Sequence, residues 1–260
     1  MKTEEIKVIP KWSKSKDEIW DDVFSNLEET NPSPKIKRLS FWKYAAAAVV
    51  VVIVTAGSFA YLYETTEQAV RGSYLAVILP DGSKINLNAD SELGYKPYWW
   101  FISRNVELKG EAFFDVEKGS RFTVKSAGNE VWVLGTSFNV FARAEKYSVT
   151  CLTGKVEVKI NNESFVLTPD MQVSLREGKL DVLNDIDALQ FVGWTQNKFS
   201  FIGVPLADVI EEIERQYGIH VSTSSKMDYL YTGNFSKEKQ PEEVLEIMGK
   251  PFGITFKIEP

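Results

Sequence analysis

The chain has 260 residues, 44% of them hydrophobic, and a formal net charge of −6 at pH 7. Without a long basic stripe, this charge argues against a nucleic-acid-binding surface. A single histidine and a single cysteine exclude a His-rich metal site and an internal disulfide framework. No phosphate-cradling glycine motif is present, so we expect neither a metal nor another cofactor.

Residues 1–43 form a polar N-terminal tail that is too short to build a hydrophobic core alone. Within it, Ser15 and Glu18 have the spacing of a capping box at the start of a helix. The apolar residues of this helix share one stripe, with acids on the other face, and they are Ile19, Trp20, Val23, Phe24 and Leu27. The stripe needs a partner, and the acids favour the groove of another protein over an anionic membrane surface.

Residues 44–63, YAAAAVVVVIVTAGSFAYLY, contain no charge. Twenty helical residues at ~1.5 Å each span roughly the hydrocarbon thickness of a bilayer. A cleaved signal peptide needs a short basic leader and an apolar stretch of only ~7–15 residues. The sequence therefore predicts one retained transmembrane helix. Its ends are flanked by the aromatic residues typical of membrane interfaces, namely Trp42, Tyr44, Tyr61 and Tyr63.

The charges beside the apolar stretch predict its orientation. Four basic residues precede it, namely Lys35, Lys37, Arg38 and Lys43. Glu64 and Glu67 open the other side. Because the basic side of a membrane helix stays in the cytoplasm, we expect a cytoplasmic N-terminus. The C-terminal part of this single-pass protein then lies outside the inner membrane, in a periplasmic or extracellular compartment.

Residues 64–185 read as an all-β domain, since short runs of alternating apolar residues follow one another with no intervening helix. Asp81-Gly82 marks a turn between two such strands. Further apolar positions alternate in VELKGEAFFDVEK and EVWVLGTSFNVFA. Cys151 falls in a strand-like run, where a buried small hydrophobe is the favoured interpretation.

Gly135 interrupts the alternation in VLGTSFNV, which usually marks a bulge or a close backbone approach. A second interpretation is that the bond between Gly135 and Thr136 cleaves itself. A threonine hydroxyl can attack the preceding carbonyl carbon and convert the peptide bond into an ester that water hydrolyses easily. Glycine tolerates the strained geometry of this attack. No general base can be assigned from the sequence.

Residues 186–260 are predicted to form a small α+β domain with an internal duplication. PLADVIEEIERQYGIHV and PEEVLEIMGKPFGITF match at an offset of 35 residues. Each copy reads as strand, helix and strand, which predicts two βαβ units packed about a pseudo-twofold. Gly218 and Gly253 stand where helices end with a left-handed residue.

The sequence offers no group of convergent catalytic residues, so we do not expect an enzyme. Cys151 and His220 fall in different predicted domains, and His220 reads as a solvent-facing strand residue. The acidic residues are scattered on outer faces, as on a solvated surface. The aromatic run from Tyr98 to Phe101 is either an exposed contact patch or core beneath a loop, and core is the favoured interpretation.

Four segments in order resemble the FecR family of membrane anti-sigma factors over roughly residues 70–180: LPDGSKINLNADSELGYKP, LKGEAFFDVEK, FTVKS and VLGTSFNVFA. The resemblance implies a sigma-binding tail, one membrane span and a periplasmic sensing domain. It also raises the expectation of cleavage between Gly135 and Thr136, since some FecR-like proteins are processed at this step. The C-terminal duplication resembles the short N-terminal domain of secretins and TonB-dependent transducers, which recurs at the C-terminus of FecR-like proteins from Bacteroidetes-type bacteria.

The predicted function is that of an anti-sigma factor that sequesters an extracytoplasmic-function (ECF) sigma factor. The residues expected to bind it are Trp12, Ile19, Trp20, Val23, Phe24 and Leu27. The resemblance implies a signal from the N-terminal signalling domain of a TonB-dependent outer-membrane transporter, and release by a membrane-embedded protease. The alternative is a membrane-anchored envelope scaffold or glycan-binding protein without a transcriptional role.

Overall fold

The computed structural model describes residues 11, 13–28 and 41–259, apart from the side chains of residues 26–28. Trp12 and the basic residues at positions 35, 37 and 38 therefore lie outside the described residues. The chain divides into two compact units, Met1–Ile53 and Val54–Pro260.

Helix α1, Lys16–Glu28, begins at the predicted capping box. The Glu18 carboxylate accepts a hydrogen bond from the Ser15 backbone N–H at 2.8 Å, and the Ser15 hydroxyl accepts one from the Glu18 N–H at 3.2 Å. These two reciprocal bonds satisfy N–H groups that a helix start otherwise leaves unpaired. The capping-box prediction is confirmed.

Helix α2, Phe41–Leu62, has the length and composition of a membrane span, and none of its apolar residues is buried. It is the only such helix in the part of the chain that the structure describes. The helix begins three residues before the predicted start at Tyr44 and ends one residue before Tyr63. The predicted span counted only uncharged residues, whereas the helix continues through Lys43 because no proline or glycine stops it there.

Residues 65–183 form the β domain, whose thirteen strands make one continuous sheet folded into two layers. This described range contains no α-helix. A 3-10 turn, Pro97–Trp99, follows the fourth strand. The strands are β1 Thr65–Ala69, β2 Leu75–Ile78, β3 Lys84–Leu87, β4 Ser91–Tyr95, β5 Arg104–Asp115, β6 Phe122–Ser126, β7 Asn129–Val133, β8 Ser137–Arg143, β9 Lys146–Cys151, β10 Val156–Ile160, β11 Glu163–Leu167, β12 Met171–Arg176 and β13 Lys179–Leu183.

Strand β5 belongs to both layers. Its first half pairs with β4 and β6, and its second half pairs with β3 and β8. The first layer has the order β1-β4-β5-β6-β7-β10-β11, and the second has the order β2-β3-β5-β8-β9-β12-β13. Gly110 stands where β5 changes layers, with φ +95°, and a Cβ there would lie 2.5 Å from the Ser91 hydroxyl oxygen. Only glycine fits this bend.

The core lies between the two layers and is built by the predicted alternation. Phe114 of the second layer stacks on Phe138 with ring centroids 5.0 Å apart and meets Phe122 of the first layer edge-on at 6.3 Å. Cys151 is fully buried, as predicted, and burial raises the pKa of its thiol to about 11. The thiol is thus a small core hydrophobe rather than a nucleophile.

Residues 188–259 form the C-terminal module. Its elements are a 3-10 helix, Ala188–Gln196, followed by β14 Lys198–Pro205, α3 Leu206–Tyr217, β15 His220–Ser222, β16 Leu230–Ser236, α4 Pro241–Gly249, a 3-10 turn, Lys250–Phe252, and β17 Lys257–Glu259. Strand β14 pairs with β16 and β15 pairs with β17, both antiparallel. The strands of one copy therefore pair with their equivalents in the other copy, not with each other as in a βαβ unit. Antiparallel pairing across a pseudo-twofold needs no crossover connection.

The two helices of the C-terminal module bury equivalent positions of the duplication. The matched pairs are Val209 and Val244, Ile210 and Leu245, and Ile213 and Met248, all at most 4% exposed. Gly218 ends α3 and Gly253 ends the 3-10 turn that follows α4, each with φ +66°. Both glycines are in the left-handed conformation that the sequence predicts.

Candidate functional site

The apolar stripe of α1 forms an exposed aromatic face. The Trp20 side chain is 52% exposed and stacks on Phe24 with ring centroids 5.4 Å apart. Val23 is exposed beside them, and Ile19 is half-buried. The side chain of Leu27 and all of Trp12 lie outside the described residues. An exposed stripe of this kind is suited to a hydrophobic groove on another protein.

Gly135 and Thr136 link β7 to β8 under a close-lying backbone segment. Gly135 has φ +147°, and a Cβ at this position would lie 2.7 Å from the Lys118 Cα. The Gly119 N–H donates to the Leu134 carbonyl at 2.9 Å, and the Val116 N–H donates to the Thr136 carbonyl at 3.0 Å. The predicted close backbone approach is confirmed, and it explains why glycine stands here.

The Thr136 hydroxyl is buried, and its oxygen has no hydrogen-bond partner among the described residues. Its methyl group packs where a Cβ on Gly154 would lie, only 2.5 Å away. A groove of about 440 Å³ runs over the Gly135–Thr136 bond; its lining is mostly apolar, with Arg121, Lys155 and Glu157 as its charged residues. The structure, over the residues it describes, thus places a hydroxyl without a hydrogen-bond partner next to a glycine whose backbone conformation other residues rarely adopt.

A second candidate site, missed in the sequence, is a buried polar patch on the outer face of the second layer. Four polar residues on neighbouring strands stand at positions that alternate with core residues and so point away from the core. All four are nevertheless buried, namely Glu111, Asn139, Thr150 and Gln172. Asn139 stands opposite Thr150 in the β8–β9 pair, and Gln172 donates to the Thr150 hydroxyl at 2.7 Å. Polar groups buried in this way need hydrogen-bond partners, and Asn88, which donates to Glu111, is itself bonded to the C-terminal module.

Gln216 of α3 is fully buried and joins the module to the β domain. Its amide nitrogen donates to the Asn88 side-chain oxygen at 2.7 Å and to Glu212 at 2.6 Å. Its amide oxygen accepts from the Tyr74 hydroxyl at 2.6 Å. We call these residues, together with Glu111 and Asn139, the junction.

Glu111 is the buried acid at the centre of the junction. Its carboxylate accepts hydrogen bonds from Asn88 at 2.7 Å and from Asn139 at 2.9 Å. Burial, followed by the nearby charge of Glu212, raises the pKa of Glu111 to about 7, although Arg143 acts in the opposite direction. The expectation that the acids form a solvated surface is therefore wrong for Glu111 and Glu212, because α3 covers this face.

Ion pairs surround the junction. Asp208 of α3 pairs with Lys146 at 2.6 Å and with Arg176 at 2.8 Å, on two neighbouring strands of the β domain. On the other side, the Gly72 N–H donates to the Arg215 carbonyl at 2.8 Å. Helix α3 is thus attached to the β domain by polar contacts along its length.

Two further predictions concern isolated residues. His220 is an exposed strand residue, as predicted. The aromatic run is core only in part. Trp100 is buried against Phe122, with ring centroids 5.8 Å apart, but Tyr98 and Phe101 are exposed. The prediction was wrong for these two because the chain leaves the β pairing after Tyr95 and only Trp100 turns back into the core.

Two family models match the chain. The model described as FecR protein matches residues 63–157, and the model described as FecR, C-terminal, matches residues 198–260. The junction connects these two segments, since Asn88 and Glu111 lie in the first and Gln216 in the second. The comparison with curated proteins found no match.

Two crystal structures, each of a candidate anti-sigma factor from Parabacteroides distasonis ATCC 8503, resemble the chain. The 2.50 Å structure has a TM-score of 0.71 and 31% identity, covering 76% of this chain and 95% of that chain. The 1.65 Å structure has a TM-score of 0.70 and 31% identity, covering 75% and 95%. With both family models matched in order and this identity over nearly the whole relative, the chain belongs to the FecR family of anti-sigma factors.

Proposed function

We propose that the chain is a transmembrane anti-sigma factor of the bacterial inner membrane. Residues 1–43 sequester an ECF sigma factor in the cytoplasm, and residues 64–260 receive a signal in the periplasm. Family membership supports the anti-sigma role. Helix α2 supports the single span. The orientation is supported by Lys43 near the start of α2 and by Glu64 and Glu67 beyond its end.

The observation that carries the sigma-binding step is the exposed, stacked pair of Trp20 and Phe24. Large aromatic side chains that become fully buried in a partner groove are the commonest binding hot spots. The acids of the opposite face, Glu18 and Asp22, stand two positions before and after Trp20 and remain in water when the stripe is covered. Trp12 and Leu27 extend the same surface in this proposal.

The test uses the full-length chain in detergent micelles and the sigma factor encoded nearest to it. Trp20→Glu places a charge at the centre of the apolar contact, and we expect the sigma factor to bind at least ~30-fold more weakly, as for a hot-spot residue. Ser25→Gln, on the polar face of the same helix, is the matched control and should bind like the wild type. Equal binding by Trp20→Glu and the wild type would show that another face of the tail makes the contact.

We propose that the C-terminal module receives the signal from the N-terminal signalling domain of a TonB-dependent outer-membrane transporter. Its two sheets have two strands each, so their outer edges offer backbone groups for strand addition. The junction is the route by which this binding reaches the β domain, because α3 carries Gln216, Glu212 and Asp208.

We propose that the chain is processed first between Gly135 and Thr136 and then by a membrane-embedded protease that releases the sigma factor. In the first step the Thr136 hydroxyl adds to the Gly135 carbonyl carbon. The C–N bond breaks, the Thr136 nitrogen becomes a free amine, and an ester joins Gly135 to the Thr136 side chain. Water then hydrolyses the ester to the Gly135 carboxylate and the original hydroxyl. The Thr136 hydroxyl, without a hydrogen-bond partner in the described part of the chain, and the glycine-specific φ of Gly135 support this step.

Substitution of Thr136 tests the cleavage. Purified wild type is expected to yield two fragments, one ending at Gly135 and one beginning at Thr136, as identified by intact mass. Thr136→Ala removes the nucleophile and should remain a single chain, whereas Thr136→Ser keeps a hydroxyl and should still be cleaved. The same two fragments from Thr136→Ala would rule out self-cleavage at this bond.

A further inference from the structure

The segment between β4 and β5, residues 96–103, exposes apolar side chains that do not pack in the core of the β domain. Phe101 is 85% exposed, the highest value among the large hydrophobic side chains that the structure describes. Ile102 and Tyr98 beside it are 57% and 54% exposed. Trp100, in contrast, is buried against Tyr95 and Phe122, which fixes the segment to the β domain.

The topology places this segment beside the end of α2. The helix ends at Leu62 and β1 begins at Thr65, so only Tyr63 and Glu64 lie between them. Two residues can span at most ~7 Å. Strand β1 pairs with β4 so that Thr65 stands opposite Tyr95, the last residue before the exposed segment.

Side-chain contacts hold the segment against the last turn of α2. Tyr98 packs against both Phe59 and Tyr63, with ring centroids 6.0 and 5.1 Å apart. Trp99 meets Tyr61 edge-on at 5.4 Å. The Lys96 ammonium lies 4.4 Å from the centre of the same Tyr61 ring.

We propose that residues 97–102 contact the lipid leaflet at which α2 ends, and so form a second attachment of the β domain to the membrane. Phe101 and Ile102 enter the boundary between headgroups and acyl chains, while Tyr98 and Trp99 lie at headgroup level with the tyrosines of α2. Lys96 is then placed to meet lipid phosphates. The inference rests on the membrane span in the proposed function but not on its orientation.

We assign the lipid leaflet, and not another protein, as the partner of this segment because its exposed side chains continue the apolar surface of α2. The rings of Phe59 and Tyr61 belong to the end of that helix, Tyr63 follows it directly, and the segment touches all three. Once α2 spans the bilayer, those rings lie at the interface, and Phe101 and Ile102 are anchored beside them.

The test measures which medium surrounds Phe101 in the full-length chain. Single cysteines replace Phe101 and, as a control, Leu189, which is 71% exposed in the 3-10 helix of the C-terminal module. The background is Cys151→Ala; native Cys151 can be kept if that variant does not fold, since a fully buried thiol does not react. Each site carries a small fluorophore, and the chain is placed in phosphatidylethanolamine–phosphatidylglycerol nanodiscs, whose two faces are both open to solvent.

We expect spin-labelled lipid to quench the fluorophore at position 101 strongly and aqueous iodide to quench it several-fold less than the one at position 189. A label at Ile102 should behave like that at Phe101. Equal iodide quenching at positions 101 and 189 would overturn the proposal. Protection from both iodide and spin-labelled lipid would also overturn it, since a protein surface would then cover the segment. A separate measurement tests the membrane span itself. If the purified chain stays monodisperse in buffer without lipid or detergent, α2 does not span a membrane.

Discussion

Glu111 is held in an environment that removes most of the hydration of a carboxylate. Asn88 and Asn139 donate hydrogen bonds to it, Glu212 stands nearby on α3, and the positive charge of Arg143 acts on it in the opposite direction. With its pKa raised to about 7, the carboxyl group is protonated in a large fraction of molecules at neutral pH. Tyr74 faces the same site from the loop before β2. The protonation state of Glu111 is therefore coupled to the attachment of α3.

This coupling predicts a pH-dependent stability. The folded chain binds a proton that the unfolded chain releases above its ordinary pKa of 4.5. The free energy of unfolding should therefore fall as the pH rises from ~5 to ~7, by up to ~1.4 kcal/mol per pH unit, and then level off. Glu111→Gln keeps the shape without the charge and should flatten this dependence in urea titrations.

Glu157→Gln provides the control, because Glu157 is an exposed acid on β10. It should retain the wild-type pH dependence. A Glu111→Gln chain that still loses stability between pH 5 and pH 7 would show that another group binds the proton.

At the residue scale, local sequence signals identified Gly135, Thr136 and Cys151 but not the junction. Gly135 breaks an alternation, which is visible in the strand itself. Glu111 stands at an outward-facing position of its strand, and the alternation does not say what covers an outer face. Gln216 bonds to Asn88 across 128 positions of the sequence. Such pairing depends on how the module attaches to the β domain, which no local pattern contains.

Among the elements, α1 depends on its capping box more than a buried helix would, since its apolar face is exposed in the described structure. Ser15→Ala removes the side-chain acceptor for the Glu18 N–H and should cost about 1 kcal/mol of helix stability. Because the tail must be helical to present its stripe, the sigma factor should bind roughly fivefold more weakly, as measured by calorimetry with the full-length chain.

Ser13→Ala is the matched control for the capping box. Ser13 lies outside α1, so the helix start remains intact. Identical affinities of the Ser15→Ala and Ser13→Ala chains would show that the tail does not need a preformed helix to bind.

The elements themselves were largely predictable, but their pairing was not. Helix α2 follows from an uncharged stretch, and α3 and α4 follow from a repeated helical pattern with a terminal glycine. The pairing of β14 with β16 could not be read from the sequence because alternation specifies a face and not a neighbour. The layer change of β5 at Gly110 was hidden for the same reason, since apolar residues continue at even positions on both sides of it.

For the whole molecule, the junction decides whether the C-terminal module and the β domain move as one body. Gln216→Ala removes the hydrogen bonds to Asn88 and Tyr74 that cross between them. Each buried group that loses its partner costs about 1–3 kcal/mol. We expect faster hydrogen exchange in α3 and β3 and sigma-factor release without a transporter signal.

Gln190→Ala serves as the comparison, because Gln190 is exposed and bonds only to Asp187, within its own 3-10 helix, among the contacts described. It should leave hydrogen exchange in α3 unchanged. If Gln216→Ala exchanges no faster than Gln190→Ala, the ion pairs of Asp208 suffice to hold the module.

The two residues between α2 and β1 have a consequence for proteolysis beside the membrane. A protease holds its substrate as an extended chain, and Tyr63 with Glu64 is too short a stretch to enter an active-site cleft. Strand β1 is the edge strand of its layer and is paired only with β4. It must therefore peel away from β4 before the chain there can be cut. In the proposed function, the strength of this five-residue strand pair sets the threshold at which the signal becomes irreversible.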